Sequence, residues 1–199
     1  MSDEGGSIEF PDGRRFSEAD LVQEIRRSLL GPAQDAESAT TDEYGNPLPQ
    51  LNLDERPRET DDALSRIGYA LLAQLPERWE TAILEMAVAA DDVRATAIVK
   101  VQDSDDASYA VRFFFPDVEP DLAAACVELR RSMYEPHGHG AWYNIQIKLN
   151  RDGTIVPSYD FSNPPFVLWG PNEVDLVRRD HELYPRDPEL LPAWHPSRA

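Results

Sequence analysis

The sequence predicts an α+β protein with a single five-stranded antiparallel sheet and helices mainly on one face. Two periodicities support this class: apolar residues recur every three or four positions in some segments and alternate with polar residues in others. The loops between the predicted strands are short, which favours antiparallel pairing. The predicted element order is α-βββ-α-ββ-α, preceded by an N-terminal helical extension.

Residues 1–59 are predicted to form this extension. One helix is expected from Ser17 to Leu30, where a leucine or isoleucine recurs every four residues and Gly31-Pro32 stops the helix. Residues 33–59 have no periodicity and contain three prolines, so we interpret them as a linker or as a loop lying over the domain.

Residues 60–184 are predicted to form the compact domain. A helix starts near Thr60 and ends before Pro76, and a second helix starts near Pro120. The apolar stripe of the second helix is expected to pack on the sheet, and it comprises Leu122, Cys126, Leu129 and Met133. The expected strands are 83–88, 95–101, 109–115, 142–149 and 154–161, followed by a helix at about 172–183 and a proline-punctuated tail at 185–199.

The formal net charge of −18 is the most unusual property of the chain. It argues against binding to nucleic acids or anionic membranes, because both need clusters of lysine and arginine. It suits a protein partner with a basic surface, although charge also keeps proteins soluble. Sixteen acidic and six basic residues fall in 1–62, so over half of the net charge lies there. No secretion or membrane signal is visible, so we expect a cytoplasmic protein.

A search for catalytic or ligand-binding motifs predicts no catalytic residue, cofactor or metal site. Nucleotide-binding, zinc-protease and serine-hydrolase signatures are missing from the sequence. His137 and His139 could place two imidazoles near a metal, but the spacing suggests no third ligand. The single cysteine, Cys126, excludes a disulfide framework within the chain. We therefore expect a binding protein and not an enzyme.

Two segments are predicted to contact a protein partner. The first follows the last strand, where two prolines prevent a central strand and leave aromatic side chains available as interface anchors; it contributes Tyr159, Asp160, Phe166 and Trp169. The second is an acidic loop between strands, which contributes Asp103, Asp105 and Asp106. The alternatives are that the aromatic residues belong to the core and that the loop is a solvated turn.

The predicted hairpin resembles a known family. Its first strand runs from Trp142 to Leu149, its turn contains Asp152-Gly153, and its second strand closes on Tyr159-Asp160-Phe161. This pattern is similar to the hallmark of YezG-like immunity proteins, and the upstream segment from Leu75 to Glu80 resembles the entry to the first strand of that family.

The resemblance implies an antitoxin of a bacterial polymorphic toxin system. Such a protein binds the toxic C-terminal domain of a secreted effector, often a nuclease, and protects the producing cell. The expected partner is therefore a toxin domain with a basic surface. The alternatives are an acidic secretion chaperone, which would dimerise and hold an extended effector segment, and a small-ligand protein or enzyme that uses His137, His139 and nearby acids.

Overall fold

The structure is a computed structural model that describes residues 7–9, 15–17, 47–54, 62–102, 109–166 and 170–198, the first two ranges by their backbone alone. The strands are β1 Ser7–Glu9, β2 Arg15–Ser17, β3 Trp79–Ala89, β4 Asp92–Gln102, β5 Tyr109–Phe114, β6 Asn144–Asn150 and β7 Ile155–Asp160. The helices are α1 Ala63–Leu72, α2 Pro120–Ser132 and α3 Pro171–Leu183, followed by a 3₁₀ turn at Pro188–Leu190.

The predicted α+β fold with one five-stranded antiparallel sheet is confirmed. The strand order is β5-β4-β3-β6-β7, and every neighbouring pair is antiparallel. The connection through α2 carries the chain from the edge strand β5 to β6, which pairs with β3 on its free side. Pro157 lies in the edge strand β7, where a residue without an amide hydrogen is tolerated.

One face of the sheet forms the main core with α1 and α2. Leu84 of β3 and Ile147 of β6 are paired across the strands on this face, and both are fully buried. Ile67 of α1 and Cys126 of α2 pack in the same cluster, as the stripe of α2 predicts. Burial in this apolar environment raises the pKa of the Cys126 thiol to about 12, so the thiol is a protonated core group at neutral pH.

The helix α3 packs at one end of the sheet, away from the main core. Val177 of α3 forms a second apolar cluster with Ala89, Tyr143 and Phe166. Glu173 accepts a hydrogen bond from Arg94 of β4 at 3.2 Å, which links the first turn of α3 to the sheet. Two helices therefore cover one face, and the third secures an end of the sheet.

Residues 47–54 pack against the β6–β7 turn. The amide of Leu51 donates to the carbonyl of Gly153 at 2.8 Å, and the amide of Ile155 donates to the carbonyl of Pro49 at 2.9 Å. Leu51 is buried in the main core. Gly153 has a φ of +89°, and a Cβ there would lie 2.4 Å from the carbonyl oxygen of Leu51. Residues 47–54 of the predicted extension are thus an integral part of the domain, and we call this segment the Leu51 strap.

The segment after α3 also packs on the domain. Arg186, Leu191 and His195 are all buried, and the amide of Asp187 donates to the carbonyl of Gly138 at 3.1 Å. The proline-punctuated tail predicted for 185–199 therefore packs on the domain and contributes buried side chains as far as His195.

The N-terminal strands β1 and β2 form an antiparallel hairpin in which Ile8 pairs with Phe16. No strand was predicted there, although Pro11-Asp12-Gly13 between them is a typical turn sequence. Ser17, the expected first residue of the N-terminal helix, is the last residue of β2. The rest of that predicted helix, residues 18–30, lies outside the described residues.

Candidate protein-binding surface

The residues predicted to contact a partner fall into two groups. Trp169 and the acidic loop with Asp103, Asp105 and Asp106 lie outside the described residues, so their role stays a prediction. Tyr159, Asp160 and Phe166 are described, and their surroundings differ from one another.

Phe166 is an interior residue. Its side chain is 3% exposed, and it packs in the second apolar cluster with Ala89, Tyr143 and Val177. The guanidinium carbon of Arg94 lies 4.1 Å from the centre of the Phe166 ring, which is a cation–π contact. The ring therefore packs in the interior, which was the alternative to its role as an exposed anchor.

Tyr159 lies in β7 opposite Ile145 and is half-buried. Its ring is 6.0 Å from that of Trp142, measured between centroids. Burial, with a smaller contribution from the negative charge of Asp62, raises the pKa of the Tyr159 phenol to about 12. The phenol remains a neutral hydrogen-bonding group, and the part of the side chain outside the core is what a partner could touch.

Asp160 closes the turn after β7. Its Oδ1 accepts hydrogen bonds from the amides of Ser162 at 2.8 Å and Asn163 at 3.1 Å, and its Oδ2 accepts one from the Asn163 side chain at 2.8 Å. Such a turn, in which an aspartate satisfies the amides that follow it, fixes the local backbone. A partner that used this carboxylate would have to share it with the turn.

A buried ion pair lies where α2, α3 and the β3–β4 turn meet. Two nitrogens of Arg130 donate to the two carboxylate oxygens of Asp180, at 2.7 and 2.9 Å, and both side chains are 1% exposed. Oδ1 of Asp180 also accepts a hydrogen bond from the amide of Ala90 at 2.7 Å. Ala90 has a φ of +55°, so the carboxylate stabilises a turn conformation that is unfavourable for alanine.

A second buried arginine lies beside this pair. The Arg186 guanidinium donates to the backbone carbonyls of Phe161, at 3.1 Å, and Ala141. Its central carbon lies 4.0 Å from the centre of the Tyr143 ring. These contacts connect the segment after α3 to the end of the β6–β7 hairpin. Both buried arginines therefore connect separate segments of the chain at the same end of the sheet.

Two histidines pack in this region. The rings of His181 and His195 are 5.1 Å apart between centroids, and burial is the main cause that lowers the pKa of His195 to about 4, followed by the nearby His181 and Arg186. Nδ1 of His181 and Nε2 of His195 are buried and have no hydrogen-bond partner among the residues that the structure describes. Within the described ranges, no three His, Cys, Asp or Glu side chains are grouped so that they could hold a metal ion.

The other two histidines lie in the turn after α2. His137 is exposed and has a φ of +60°, while the ring of His139 lies 6.1 Å from that of Phe161 between centroids. The turn is closed by hydrogen bonds between Glu135 and Gly140 and between Gly138 and Glu135. The possible metal ligation by His137 and His139 therefore has no third ligand in this part of the structure.

Exposed apolar side chains mark a surface that the sequence did not single out. Phe115, directly after β5, is 82% exposed, and Phe113 within β5 is 46% exposed. The sequence signal is the run of three phenylalanines from 113 to 115, since side chains alternate between the two faces of a strand and cannot all point to one core. The other exposed large apolar side chains of the described residues are Leu53, Leu183 and Leu190.

No protein-family model matches the chain, and no curated protein matches it in sequence. Among the described residues, no helix has both the length and the apolar character needed to cross a membrane.

Proposed function

We propose that this chain is an immunity protein, an antitoxin that binds and neutralises the toxic C-terminal domain of a secreted polymorphic toxin. A nuclease is the toxin activity that suits its charge best. The single observation that carries the proposal is the net charge of −18 on 199 residues. The resemblance of the 142–161 hairpin to YezG-like immunity proteins adds the class of partner.

The charge supports this function because nucleases hold phosphates in basic clefts. An acidic protein can cover such a cleft, and the complementary fields accelerate the encounter. Many of the carboxylates lie at the surface, since the exposed acidic residues include Glu77, Glu85, Asp91, Asp117, Glu119, Asp121, Glu128, Glu135, Asp175, Glu182 and Glu189.

The test is co-production with the C-terminal domain of the effector encoded by the adjacent gene. We expect a stable complex after purification, survival of cells that make both proteins, and stoichiometric loss of the toxin's activity in vitro. Cells that die despite abundant antitoxin, together with two proteins that elute separately, would contradict the proposal.

An acidic secretion chaperone is the second candidate, and it is favoured by the exposed phenylalanines beside the edge strand β5. A chaperone should bind an unfolded effector segment and dimerise, whereas an antitoxin should bind the folded toxin domain. Binding to the toxin domain before and after denaturation, with the mass of each complex measured by light scattering, separates the two functions.

A further inference from the structure

The strand β5 lies at one edge of the five-stranded sheet. It pairs with β4 on one side, and in the described part of the chain no strand pairs with the other. The opposite edge of the sheet is different, because the Leu51 strap bonds to residues 153 and 155 and because Pro157 removes an amide from β7. An edge strand presents unpaired amides and carbonyls, and a further strand can bind to them.

Phe113 and Phe115 supply apolar contacts at this edge. Phe113 pairs with Ile98 of β4, so it lies on the face of the sheet opposite α1 and α2. Phe115 follows two residues later and exposes most of its ring. Aromatic side chains in such positions are preferred anchors at protein interfaces, because they bury a large area while fixing few torsion angles.

The backbone that carries Phe115 is fixed on both sides. Before it, Phe114 pairs with Ala97 as the last residue of the β5–β4 ladder. After it, Pro116 is buried, and the amide of Asp117 donates to Oε1 of Gln74 at 2.9 Å. Nε2 of Gln74 donates in turn to the carbonyl of Asp117 at 3.4 Å. The backbone at Phe115 is therefore preorganised, which lowers the backbone entropy lost on binding.

The charge around β5 indicates the chemistry of the occupant. From residue 103 to residue 121 the chain carries six acidic residues and one basic residue, Arg112. Three of the acids lie between the end of β5 and the first turn of α2 and are exposed: Asp117, Glu119 and Asp121. A second copy of this chain would bring another −18 to the same place, so like-charge repulsion disfavours it.

We propose that the free edge of β5 binds an extended, basic segment of the partner protein as an additional strand, with Phe113 and Phe115 as its apolar anchors. The inference rests on the proposed function for the identity of the partner and on the edge itself for the mode of binding. The bound segment pairs its backbone with β5, places apolar side chains against the two rings, and directs lysine or arginine toward the acids after the strand.

The probe is a soluble peptide in which lysine alternates with valine, and its control replaces each lysine with glutamate. With the full-length protein, we expect only the lysine peptide to slow amide exchange in 110–114. We expect Phe115→Ser and Phe113→Ser each to weaken its binding about tenfold. Leu183→Ser is the matched control, because Leu183 is 54% exposed at the end of α3, and it should leave the affinity unchanged.

Several results would overturn the inference. One is that both peptides slow amide exchange in 110–114 equally, or that neither does. A second is slow exchange of every amide in 110–114 in the free protein, because the chain itself would then cover the edge. A third is dimerisation that Phe115→Ser abolishes, because the occupant would then be a second copy.

The neutralisation assay separates this inference from the function. If the wild-type protein and the Phe113→Ser/Phe115→Ser double variant protect cells equally, partner binding at the β5 edge is refuted. The proposed antitoxin function is then still supported. If the protein binds the peptide at β5 but neutralises no toxin, the antitoxin function is refuted. Binding of an extended segment at β5 is then still supported. Thermal unfolding of each variant verifies that it is folded.

Discussion

The carboxylate of Asp180 binds both terminal nitrogens of the Arg130 guanidinium, at 2.7 and 2.9 Å, in a place where both side chains are almost completely excluded from solvent. The two residues are fifty positions apart and lie on different helices. Loss of one partner leaves the other charge buried and unpaired, and this is more destabilising than removal of both.

Asp180→Ala should therefore lower the free energy of unfolding by about 3–5 kcal/mol. The double variant Arg130→Met/Asp180→Leu should recover part of this loss, because neither charge of the pair then remains buried without its partner. Urea denaturation followed by circular dichroism measures both. Arg178→Ala is the control, because it removes an exposed ion pair with Asp175 and should change stability by less than about 0.5 kcal/mol. An Asp180→Ala variant as stable as wild type would contradict this role.

Stability should fall as the pH drops from about 6.5 toward 4 because of His195. Its pKa is lowered to about 4 in the folded protein by burial, His181 and Arg186, so the unfolded chain takes up a proton that the folded chain does not. This histidine alone should contribute a loss of about 2 kcal/mol at pH 5 relative to pH 7.5.

Urea denaturation of wild type and His195→Leu at both pH values measures this contribution. The variant should show a smaller difference between the two pH values, whereas His137→Gln, a change at an exposed histidine, should behave like wild type. An identical pH dependence for His195→Leu and wild type would exclude His195 as the cause.

Gly153→Ala should destabilise the protein by about 2 kcal/mol or more, since a side chain at φ +89° is strained and its Cβ would collide with the carbonyl of Leu51. Amide exchange should accelerate at Leu51 and Ile155, whose amides bond within the strap. Ser158→Ala, an exposed change on the same hairpin, is the control. Unchanged exchange at Leu51 would show that the strap does not depend on this glycine.

Association with the toxin domain should slow strongly as ionic strength rises, while dissociation changes little, because salt screens long-range attraction more than close contacts. Replacing Asp103, Asp105 and Asp106 with asparagine should reduce the association rate in low salt. As the control, Asp175→Asn with Glu182→Gln removes two exposed carboxylates from α3 and should reduce the association rate less. Stopped-flow kinetics would contradict this prediction if association were equally fast at 0.05 and 0.5 M salt, values chosen to take the screening length from about 14 to about 4 Å.

The parts of the fold that the sequence predicted are those with a periodic pattern. The stripe of Leu122 and Cys126 identified α2 and its buried side, and the alternation from Ile145 to Leu149 identified the inner face of β6. The Leu51 strap was not predicted, because a few backbone hydrogen bonds and one buried leucine hold it without any repeat. The packing of the segment around Arg186 was not predicted for the same reason.

The candidate surface was less predictable than the fold, because composition does not tell which aromatic side chains are exposed. Phe166 follows two prolines and is buried, whereas Phe115 precedes one and is largely exposed. The difference arises from tertiary contacts, since Phe166 meets α3 and Arg94 whereas Gln74 fixes the chain just after Phe115. No local pattern distinguishes the two environments.

The Leu51 strap and Pro157 together make the two sides of the sheet unequal, and this limits how far the sheet could grow. A sheet that is open on both sides can add strands without end, as fibrils do. Here the strap and the proline obstruct growth at β7, so β5 is the one side of the described sheet left open to strand addition. Strand addition is thereby directed to a single edge of the described sheet.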